Sequence, residues 1–275
     1  MKEKTAILVV SFGTSYKETR EKTIHRIEGE IQQAYPTVPV YRAWTSKVIL
    51  RKLEREEHLH FDNVCEAMQH MKEARIRNVV VQPTHVMSGI ENDRMKEDVL
   101  QFSGQFNSIV FGEPLLAERS DGGKLVNAVM EEFGSLEAQE ALVLMGHGSS
   151  HPANSVYLTL EEIFKGHQYE NVFVGTVEGT PGLEEVIDEV KKGGFRKVHL
   201  APLMLVAGEH AARDMSGEEE TSWKSRFEAA GYEVECHLKG LGEYAGVRRL
   251  FLEHLQRALE SSKNARGVLE DSLLD

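Results

Sequence analysis

The chain has 275 residues, with 32 basic and 44 acidic side chains and a formal net charge of −12. A prior of roughly 150 residues per domain predicts two domains or one large α/β unit. The negative charge argues against a nucleic-acid-binding protein, because phosphate binding needs a dense positive surface. No run approaches the roughly 20 apolar residues that span a bilayer, and the first residues do not resemble a signal peptide. We therefore expect a cytoplasmic chain with neither nucleic acid nor membrane as a partner.

Short apolar runs alternate with segments of helical period, which is typical of β/α units around a mainly parallel sheet. The predicted strands, in chain order, are Thr5–Val10, Val38–Tyr41, Asn78–Gln82, Ser108–Phe111, Ala141–Met145, Asn171–Thr176, Lys197–Ala201 and Glu233–Leu238. The predicted helices include Ser15–Tyr35, Lys47–Glu57, Asn63–Arg75, Ile90–Phe102, Leu183–Lys192, Ser222–Ala230 and Tyr244–Leu259. Most of the strands are rich in valine, as expected for parallel strands covered by helices on both faces.

The domain boundary is predicted near Gly134, between a helix that ends at Phe133 and the strand that starts at Ala141. This gives an N-terminal α/β domain over residues 1–134, a C-terminal α/β domain over 135–260 and a tail over 261–275. The tail is polar until Leu269, and we expect a frayed end or a short accessory helix there.

An internal repeat relates the two halves. Val9–Ser15 aligns with Leu144–Ser150 at an offset of 135, and Val81–Pro83 aligns with Leu200–Pro202 at an offset of 119. Each half thus has a strand that runs into a Gly-Ser/Thr turn, and a later strand that ends in proline. The repeat predicts two similar α/β domains related by duplication, whose strand ends could face each other across a cleft.

The two halves differ in the residues that follow three of the strands. His147, Glu178 and His210 stand where the first half has Phe12, Trp44 and Glu91, at offsets of 135, 134 and 119. If the three strands are neighbours, these side chains converge in the second half. Two imidazoles and one carboxylate suit Co²⁺, Ni²⁺, Fe²⁺ or Zn²⁺ and leave coordination positions open. The pattern therefore predicts a metal that is handed on or acts on substrate, although a lone histidine after a strand is more often a loop residue.

The glycine-rich turns do not match other catalytic motifs. Gly146–Ser150 lacks the G-x-S-x-G pattern of a nucleophile elbow, and its glycines are interpreted as letting the backbone turn sharply and leaving room for a flat ligand over His147. Ser11–Ser15 lacks the lysine of a phosphate loop, and its hydroxyls are interpreted as helix caps.

A set of ordered motifs extends from about Thr5 to Leu259. The motifs are Ser11–Ser15, Trp44–Leu53, Gln82–Val86, Met145–Gly148, Val177–Gly179 and Ala201–Ala211. Together they resemble the anaerobic sirohydrochlorin cobaltochelatase family, the class II chelatases of cobalamin biosynthesis that are related to ferrochelatase. The resemblance implies a two-domain chelatase fold with the tetrapyrrole between the lobes. It also implies that His147, Glu178 and His210 bind the metal and catalyse its insertion.

The same resemblance implies the substrates. These are sirohydrochlorin or precorrin-2, with Co²⁺ as the substrate metal and no prosthetic group. Fe²⁺ or Ni²⁺ insertion stays open, since the donor set does not select among them. A non-catalytic tetrapyrrole or metal carrier is a further alternative, and a periplasmic solute-binding protein is disfavoured. Homo-oligomer formation also stays open.

Four residues of the first half are candidates for tetrapyrrole binding. Arg51 is the candidate for a substrate carboxylate, while Trp44, His85 and Met87, with Met204 of the second half, are candidates for an apolar floor under the ring. His85 is also a candidate for proton handling. Arg94 and Arg213 occupy equivalent positions in the repeat and could contact substrate or pair with nearby glutamates.

Overall fold

This computed structural model describes residues 4–271, with side chains as far as Lys263. The strands are β1 (Thr5–Ser11), β2 (Val40–Trp44), β3 (Asn78–Pro83), β4 (Ser108–Phe111), β5 (Glu140–Gly146), β6 (Val172–Thr176), β7 (Lys197–Pro202) and β8 (Glu233–Cys236). The helices are α1 (Lys17–Lys22), α2 (Ile24–Ala34), α3 (Lys47–Glu57), α4 (Val64–Glu73), α5 (Ile90–Leu100), α6 (Arg119–Phe133), α7 (Val156–Gly166), α8 (Leu183–Lys192), α9 (Trp223–Ala229) and α10 (Ala245–Asp271). All eight predicted strands are confirmed, with ends that differ by a few residues.

The strands form two four-stranded sheets with the same strand order. The first sheet has the order β2-β1-β3-β4 and the second has the order β6-β5-β7-β8. Each neighbouring pair of these strands is parallel. The central strands are buried on both faces, which explains their runs of valine and leucine. The predicted fold class is confirmed: the chain is an α/β protein with two similar domains, each a parallel sheet flanked by helices.

The sheet register confirms the two repeat offsets used for the central strands. Val10 of β1 is paired with Pro83 of β3, and Met145 of β5 is paired with Pro202 of β7. These four residues are related by the offsets of 135 and 119 that the sequence repeat indicates. The duplication therefore extends to the hydrogen-bond register of the sheets.

The predicted equivalence of Trp44 and Glu178 is wrong. The paired residues are Ser11 with Trp44 in the first sheet and Gly146 with Thr176 in the second. Trp44 therefore corresponds to Thr176, because both are the last residues of their strands. Glu178 lies two residues further on and corresponds to Ser46. Sequence matching could not find this shift, because it depends on the strand ends.

The predicted helix Ser15–Tyr35 is divided into α1 and α2. The break is at Thr23, which has φ −118° and ψ −83°. The Thr23 hydroxyl donates a hydrogen bond to the backbone oxygen of Thr19 at 2.5 Å. A threonine that bonds back to the preceding turn competes with helical backbone geometry, which a count of apolar spacing does not detect.

The C-terminal helix continues into the predicted tail. Helix α10 runs without interruption to Asp271, so the backbone after Ser261 is neither a separate helix nor a frayed end as far as it is described. The predicted apolar positions Leu273 and Leu274 lie outside the described residues.

Contacts divide the chain into two compact units. The first contains residues up to Ser15, Ile24–Ala117 and the chain from Arg248 onward, and the second contains Tyr16–Thr23 and Glu118–Val247. This division differs from the predicted boundary near Gly134, because α6 packs against α7 of the second unit. Within residues 4–271, no helix has the length and apolar character needed to cross a membrane.

Candidate metal centre

His147, Glu178 and His210 meet at the carboxyl ends of three neighbouring strands of the second unit. One ligand atom from each residue lies within 4.8 Å of the other two. The convergence follows from the strand order, because β6, β5 and β7 are adjacent and their loops leave the same edge of the sheet. We call these residues the strand-end trio. Their roles in metal binding and catalysis are not tested by this geometry and stay predictions.

The loops that carry His147 and Glu178 are joined through their backbones. The amide of Val177 donates to the oxygen of Gly146 at 3.0 Å, and the amide of Glu178 donates to the oxygen of His147 at 2.8 Å. These bonds join the two loops directly after the last paired residues of β5 and β6. The separation of the two side chains is therefore fixed by the sheet register.

Gly148 allows this close approach. Its φ is +82°, and a Cβ atom there would lie 2.5 Å from the backbone nitrogen of Gly179. This φ confirms the prediction that the glycines of this turn let the backbone turn sharply. Room for a flat ligand over His147 stays a prediction.

Asn154 holds the same two loops and was not identified from the sequence. Its Oδ1 accepts a hydrogen bond from the amide of Ser149 at 2.9 Å, and its Nδ2 donates to the oxygen of Thr180 at 2.8 Å. One side chain thus bridges the His147 loop and the Glu178 loop. A cavity of about 560 Å³ opens beside Glu178, with Asn154 in its lining.

His210 is positioned by a short π-helical segment. The segment is Ala211–Met215, directly after His210, and its wide turn is marked by the bond from the amide of Ser216 to the oxygen of Ala211 at 3.2 Å. The Nδ1 atom of His210 lies 2.6 Å from Oδ2 of Asp214. A carboxylate behind a histidine is the usual partner of a metal-binding imidazole. Sequence reasoning missed Asp214, although its spacing of four residues on a helical turn could have indicated it.

The hydrogen-bond partners define which ring nitrogens face the centre. Nδ1 of His147 lies 2.9 Å from the backbone oxygen of Gly148. A carbonyl or a carboxylate oxygen accepts, so each histidine donates from Nδ1 and keeps Nε2 for a ligand. The two rings are edge to face, with centroids 4.7 Å apart. The trio therefore offers two Nε2 lone pairs and an exposed carboxylate, a donor set that leaves coordination positions open.

The first unit keeps the backbone of this centre without its ligands. In the first unit, the amide of Ser46 donates a hydrogen bond to the backbone oxygen of Phe12 at 3.2 Å. This bond is equivalent to the one from the amide of Glu178 to the oxygen of His147. The Ser46 hydroxyl caps α3 by accepting from the amide of Ile49. Serine and phenylalanine stand where the second unit has a carboxylate and an imidazole, so these two predicted ligands occur in the second unit and not at the equivalent positions of the first.

The paired arginines of the repeat contact glutamates. Arg94 lies 2.9 Å from Glu91, and Arg213 lies 3.3 Å from Glu209, with each pair on one helical turn. Of the two alternatives for these arginines, the structure shows the intrahelical ion pairs. Glu209 also accepts a hydrogen bond from the Tyr16 hydroxyl at 2.7 Å, and this contact raises the pKa of Tyr16.

The four predicted tetrapyrrole-binding residues have different environments. Trp44 is fully buried and stacks on Phe61 with ring centroids 4.1 Å apart, so it is a core residue rather than an exposed floor. Met87 is half-buried, and Arg51 is exposed on α3. Both ring nitrogens of His85 are buried without a hydrogen-bond partner, and burial lowers the pKa of His85 to about 4. Binding by Arg51, His85 and Met87 stays a prediction.

Comparisons with known proteins cover nearly the whole chain. The family model described as cobalt chelatase (CbiK) matches residues 5–260. The chain is 38% identical over 256 residues to a sirohydrochlorin cobaltochelatase of Salmonella typhimurium, covering 93% of this chain and 97% of that protein. It is 33% identical over 261 residues to sirohydrochlorin cobaltochelatase CbiKC of Nitratidesulfovibrio vulgaris, covering 94% of this chain and 92% of that protein.

Solved structures share the fold at low sequence identity. SirB from Bacillus subtilis with Fe³⁺ aligns with a TM-score of 0.66 and 16% identity, over 96% of this chain and 98% of that one. CbiX, described as the terminal enzyme for biosynthesis of siroheme in denitrifying bacteria, aligns with a TM-score of 0.53 and 14% identity, over 92% of this chain and 99% of that one.

Proposed function

The chain belongs to the cobalt chelatase (CbiK) family, and from that premise we propose that it inserts Co²⁺ into sirohydrochlorin, with the strand-end trio as its metal-binding and proton-accepting groups. The observation that carries the assignment of residues is the convergence of His147, Glu178 and His210 within 4.8 Å. The cobalt ion is a substrate, so its site must release it as well as bind it.

The reaction exchanges one ion for two protons. Co²⁺ gives up the trio and water for four ring nitrogens, and two pyrrole N–H groups each lose a proton. An Nε2 lone pair that has held the metal becomes free when the metal enters the ring, and it can then accept one of those protons. Glu178 is exposed and supplies a carboxylate for the second proton.

Hydrogen bonding from Nδ1 prepares each histidine for both tasks. Asp214 and the backbone oxygen of Gly148 hold the rings of His210 and His147 with Nε2 outward. Asp214 can keep accepting the Nδ1 hydrogen bond when the Nε2 atom of His210 takes up a proton. Three ligands with open positions leave room for the incoming ring nitrogens.

Substitution of the trio tests the assignment. We expect His147→Ala and His210→Ala each to lower kcat/KM for cobalt insertion by at least about a hundredfold, which is the low end of general acid–base contributions. Absorption of the cobalt product, followed over many turnovers, measures this rate and separates an enzyme from a stoichiometric carrier. His167→Ala is the matched control, because His167 is an exposed histidine at the end of α7. Wild-type turnover in either trio variant would refute the assignment.

Arg51 is proposed to bind a carboxylate of the tetrapyrrole from α3. A favourable ion pair in the bound substrate is lost in Arg51→Glu, so we expect KM for sirohydrochlorin to rise about tenfold while kcat changes little. Arg55→Glu is the matched control one turn later, since Arg55 already pairs with Glu56. Equal KM values for the two variants would assign the effect to overall charge instead of to Arg51.

A further inference from the structure

A second group of metal-ligating side chains lies on β7 and β8 of the second unit. It contains His199 in the middle of β7, Glu235 in β8 and His237 directly after β8, and we call it the β8 cluster. Because it shares no residue with the strand-end trio, we propose that the β8 cluster is a second binding site for a divalent transition metal ion such as Zn²⁺ or Co²⁺. This proposal does not depend on the chelatase reaction.

The register of the sheet places the cluster on one face. His199 and Glu235 are paired neighbours in β7 and β8. In β7, Val198 and Leu200 on either side of His199 pack in the apolar core. Because side chains alternate along a strand, His199 points to the opposite face of the sheet. His199 is only 8% exposed, which is unusual for a histidine inside a strand and indicates a specific polar environment.

The separations between the ligand atoms fit one metal ion. Nδ1 of His199 lies 3.0 Å from Nε2 of His237, and the carboxylate of Glu235 lies 3.7 Å from each of these nitrogens. Ligand atoms at about 2.0–2.1 Å from a tetrahedral Zn²⁺ are about 3.3–3.4 Å apart. Small side-chain rotations are therefore enough to bring the three atoms to coordination distance.

Glu140 supplies the outer partner that a metal-binding histidine needs. Its Oε1 lies 3.6 Å from Nε2 of His199, just beyond hydrogen-bond distance, and this buried nitrogen has no hydrogen-bond partner. When Nδ1 coordinates a metal, the proton of the neutral imidazole resides on Nε2 and faces Glu140. The carboxylate–histidine–metal arrangement would thus satisfy the orphaned nitrogen.

A cavity gives an ion access to the cluster. Its volume is about 380 Å³, and its lining includes His199, His237 and Glu140 together with Tyr244. Phe133 contacts His237 edge to face, with centroids 5.1 Å apart, and so limits the movement of that ring. The cavity leaves room for a water molecule as the fourth ligand.

Lys197 forms an ion pair with the carboxylate of the β8 cluster. Its Nζ lies 2.7 Å from Oε2 of Glu235. An incoming ion must share or displace this contact, so the lysine lowers metal affinity. Removal of the lysine should therefore strengthen metal binding, whereas removal of a ligand should weaken it.

The consequence of occupancy is a link between β7 and the edge strand β8. Strand β8 has only four residues and pairs on one side with β7. An ion that joins His199 to Glu235 and His237 would hold this short strand in the sheet. Because the ion binds the folded state, it should raise the melting temperature as its concentration rises.

The experiment uses the full chain with the strand-end trio disabled by His147→Ala and His210→Ala. We expect this double variant to bind one equivalent of Co²⁺ with the strong visible absorption of a four-coordinate ion, and Zn²⁺ to displace it. His199→Ala and His237→Ala should each weaken binding by more than about a hundredfold, since outer partners alone account for about ten- to a hundredfold. Lys197→Met should tighten binding about two- to fivefold.

Controls address folding and a competing surface group. His60, Asp62 and Glu66 also lie close together, but Glu66 accepts the amide hydrogen bond of a capping box at Asn63. Binding that is lost in His60→Ala but kept in His237→Ala would overturn the proposal, as would no Co²⁺ binding by the double variant.

His237 follows the strand, so His237→Ala should keep the melting temperature measured without added metal even if His199→Ala does not. Cobalt insertion by His237→Ala in the otherwise intact chain should stay within about twofold, which separates this proposal from the proposed function.

Discussion

The residue most informative about the strand-end trio is Asp214, which is not a ligand. It lies 2.6 Å from Nδ1 of His210 on a π-helical segment, and π turns are frequent at functional sites. The wide turn places the carboxylate behind the imidazole rather than beside it. Asp214 therefore acts as a positioning residue that fixes the ring and its donor nitrogen.

Replacement of Asp214 should weaken the metal site without unfolding the chain. We expect Asp214→Asn to lower Co²⁺ affinity and cobalt insertion about ten- to a hundredfold, since the amide removes the charge that supports the histidine. Titration of Co²⁺ measures the affinity, and the melting temperature reports folding. Partial recovery in Asp214→Glu is expected because a longer carboxylate can still reach Nδ1. Equal affinity in wild type and Asp214→Asn would show that His210 needs no carboxylate.

At the scale of elements, the centre depends on two loops that touch. The loops after β5 and β6 are joined by two backbone hydrogen bonds, and only a residue without Cβ fits at Gly148. The arrangement explains why a glycine follows His147 and another follows Glu178. The geometry of the proposed metal site is therefore a property of the sheet edge and not of a single loop.

Gly148→Ala should therefore lower the rate of cobalt insertion by more than its loss of unfolding free energy alone would cause. A left-handed alanine costs about 1–2 kcal/mol, and the Cβ atom also collides with the backbone of Gly179. Gly194→Ala is the matched control, because Gly194 has φ +70° and no atom within 4 Å of the added Cβ. We expect both variants to lose unfolding free energy, but only Gly148→Ala to lose cobalt insertion, by more than about tenfold. Similar activity losses in the two variants would mean that the loops do not need this contact.

The elements show which parts of the structure could be predicted from sequence. The strands could, because buried parallel strands need the apolar runs that begin at Thr5 and Ala141. The break at Thr23 could not, because one hydroxyl contact decides it. The burial of Trp44 depends on a ring contact with Phe61, and that pairing has no periodic signal.

For the candidate metal centre, the sequence pattern identified the residues that directly follow strands but not the residues that position them. Three strand ends in one half of a repeat were enough to group His147, Glu178 and His210. Asp214 and Asn154 were missed because each acts through a turn or a loop contact that the strand pattern does not contain. The positions of residues that follow strands can be predicted from the strand pattern. The residues that position these side chains cannot, because their contacts depend on local backbone geometry.

The whole molecule consists of two copies of one sheet with different chemistry. The first copy has Phe12 where the second has His147, and Phe12 is 44% exposed. Duplication has thus preserved the backbone bonds at both strand ends, while the proposed ligands occur in one copy. The net charge of −12 opposes a polycarboxylate substrate, which is why we propose that local positive charge comes from Co²⁺ and from exposed basic residues such as Arg51.

Global stability should depend on pH through His85. Burial holds its pKa near 4 in the folded chain, below the value of 6.5 for a free histidine, and Glu91 offsets only part of this effect. Below pH 6.5 the unfolded chain therefore binds a proton that the folded chain does not. The resulting stability is complete above pH 6.5 and is lost progressively as the pH falls toward 4.

We expect this histidine to remove about 2 kcal/mol of unfolding free energy between pH 7 and pH 5, and His85→Gln to lack that loss. Glu28 has the opposite slope, because burial raises its pKa to about 7 and its ionised form is disfavoured in the folded chain. The two effects partly cancel in the wild type. Denaturant unfolding of both chains at the two pH values isolates the His85 contribution as a difference. An identical pH dependence of wild type and His85→Gln would mean that His85 is as easily protonated in the folded chain as in the unfolded one.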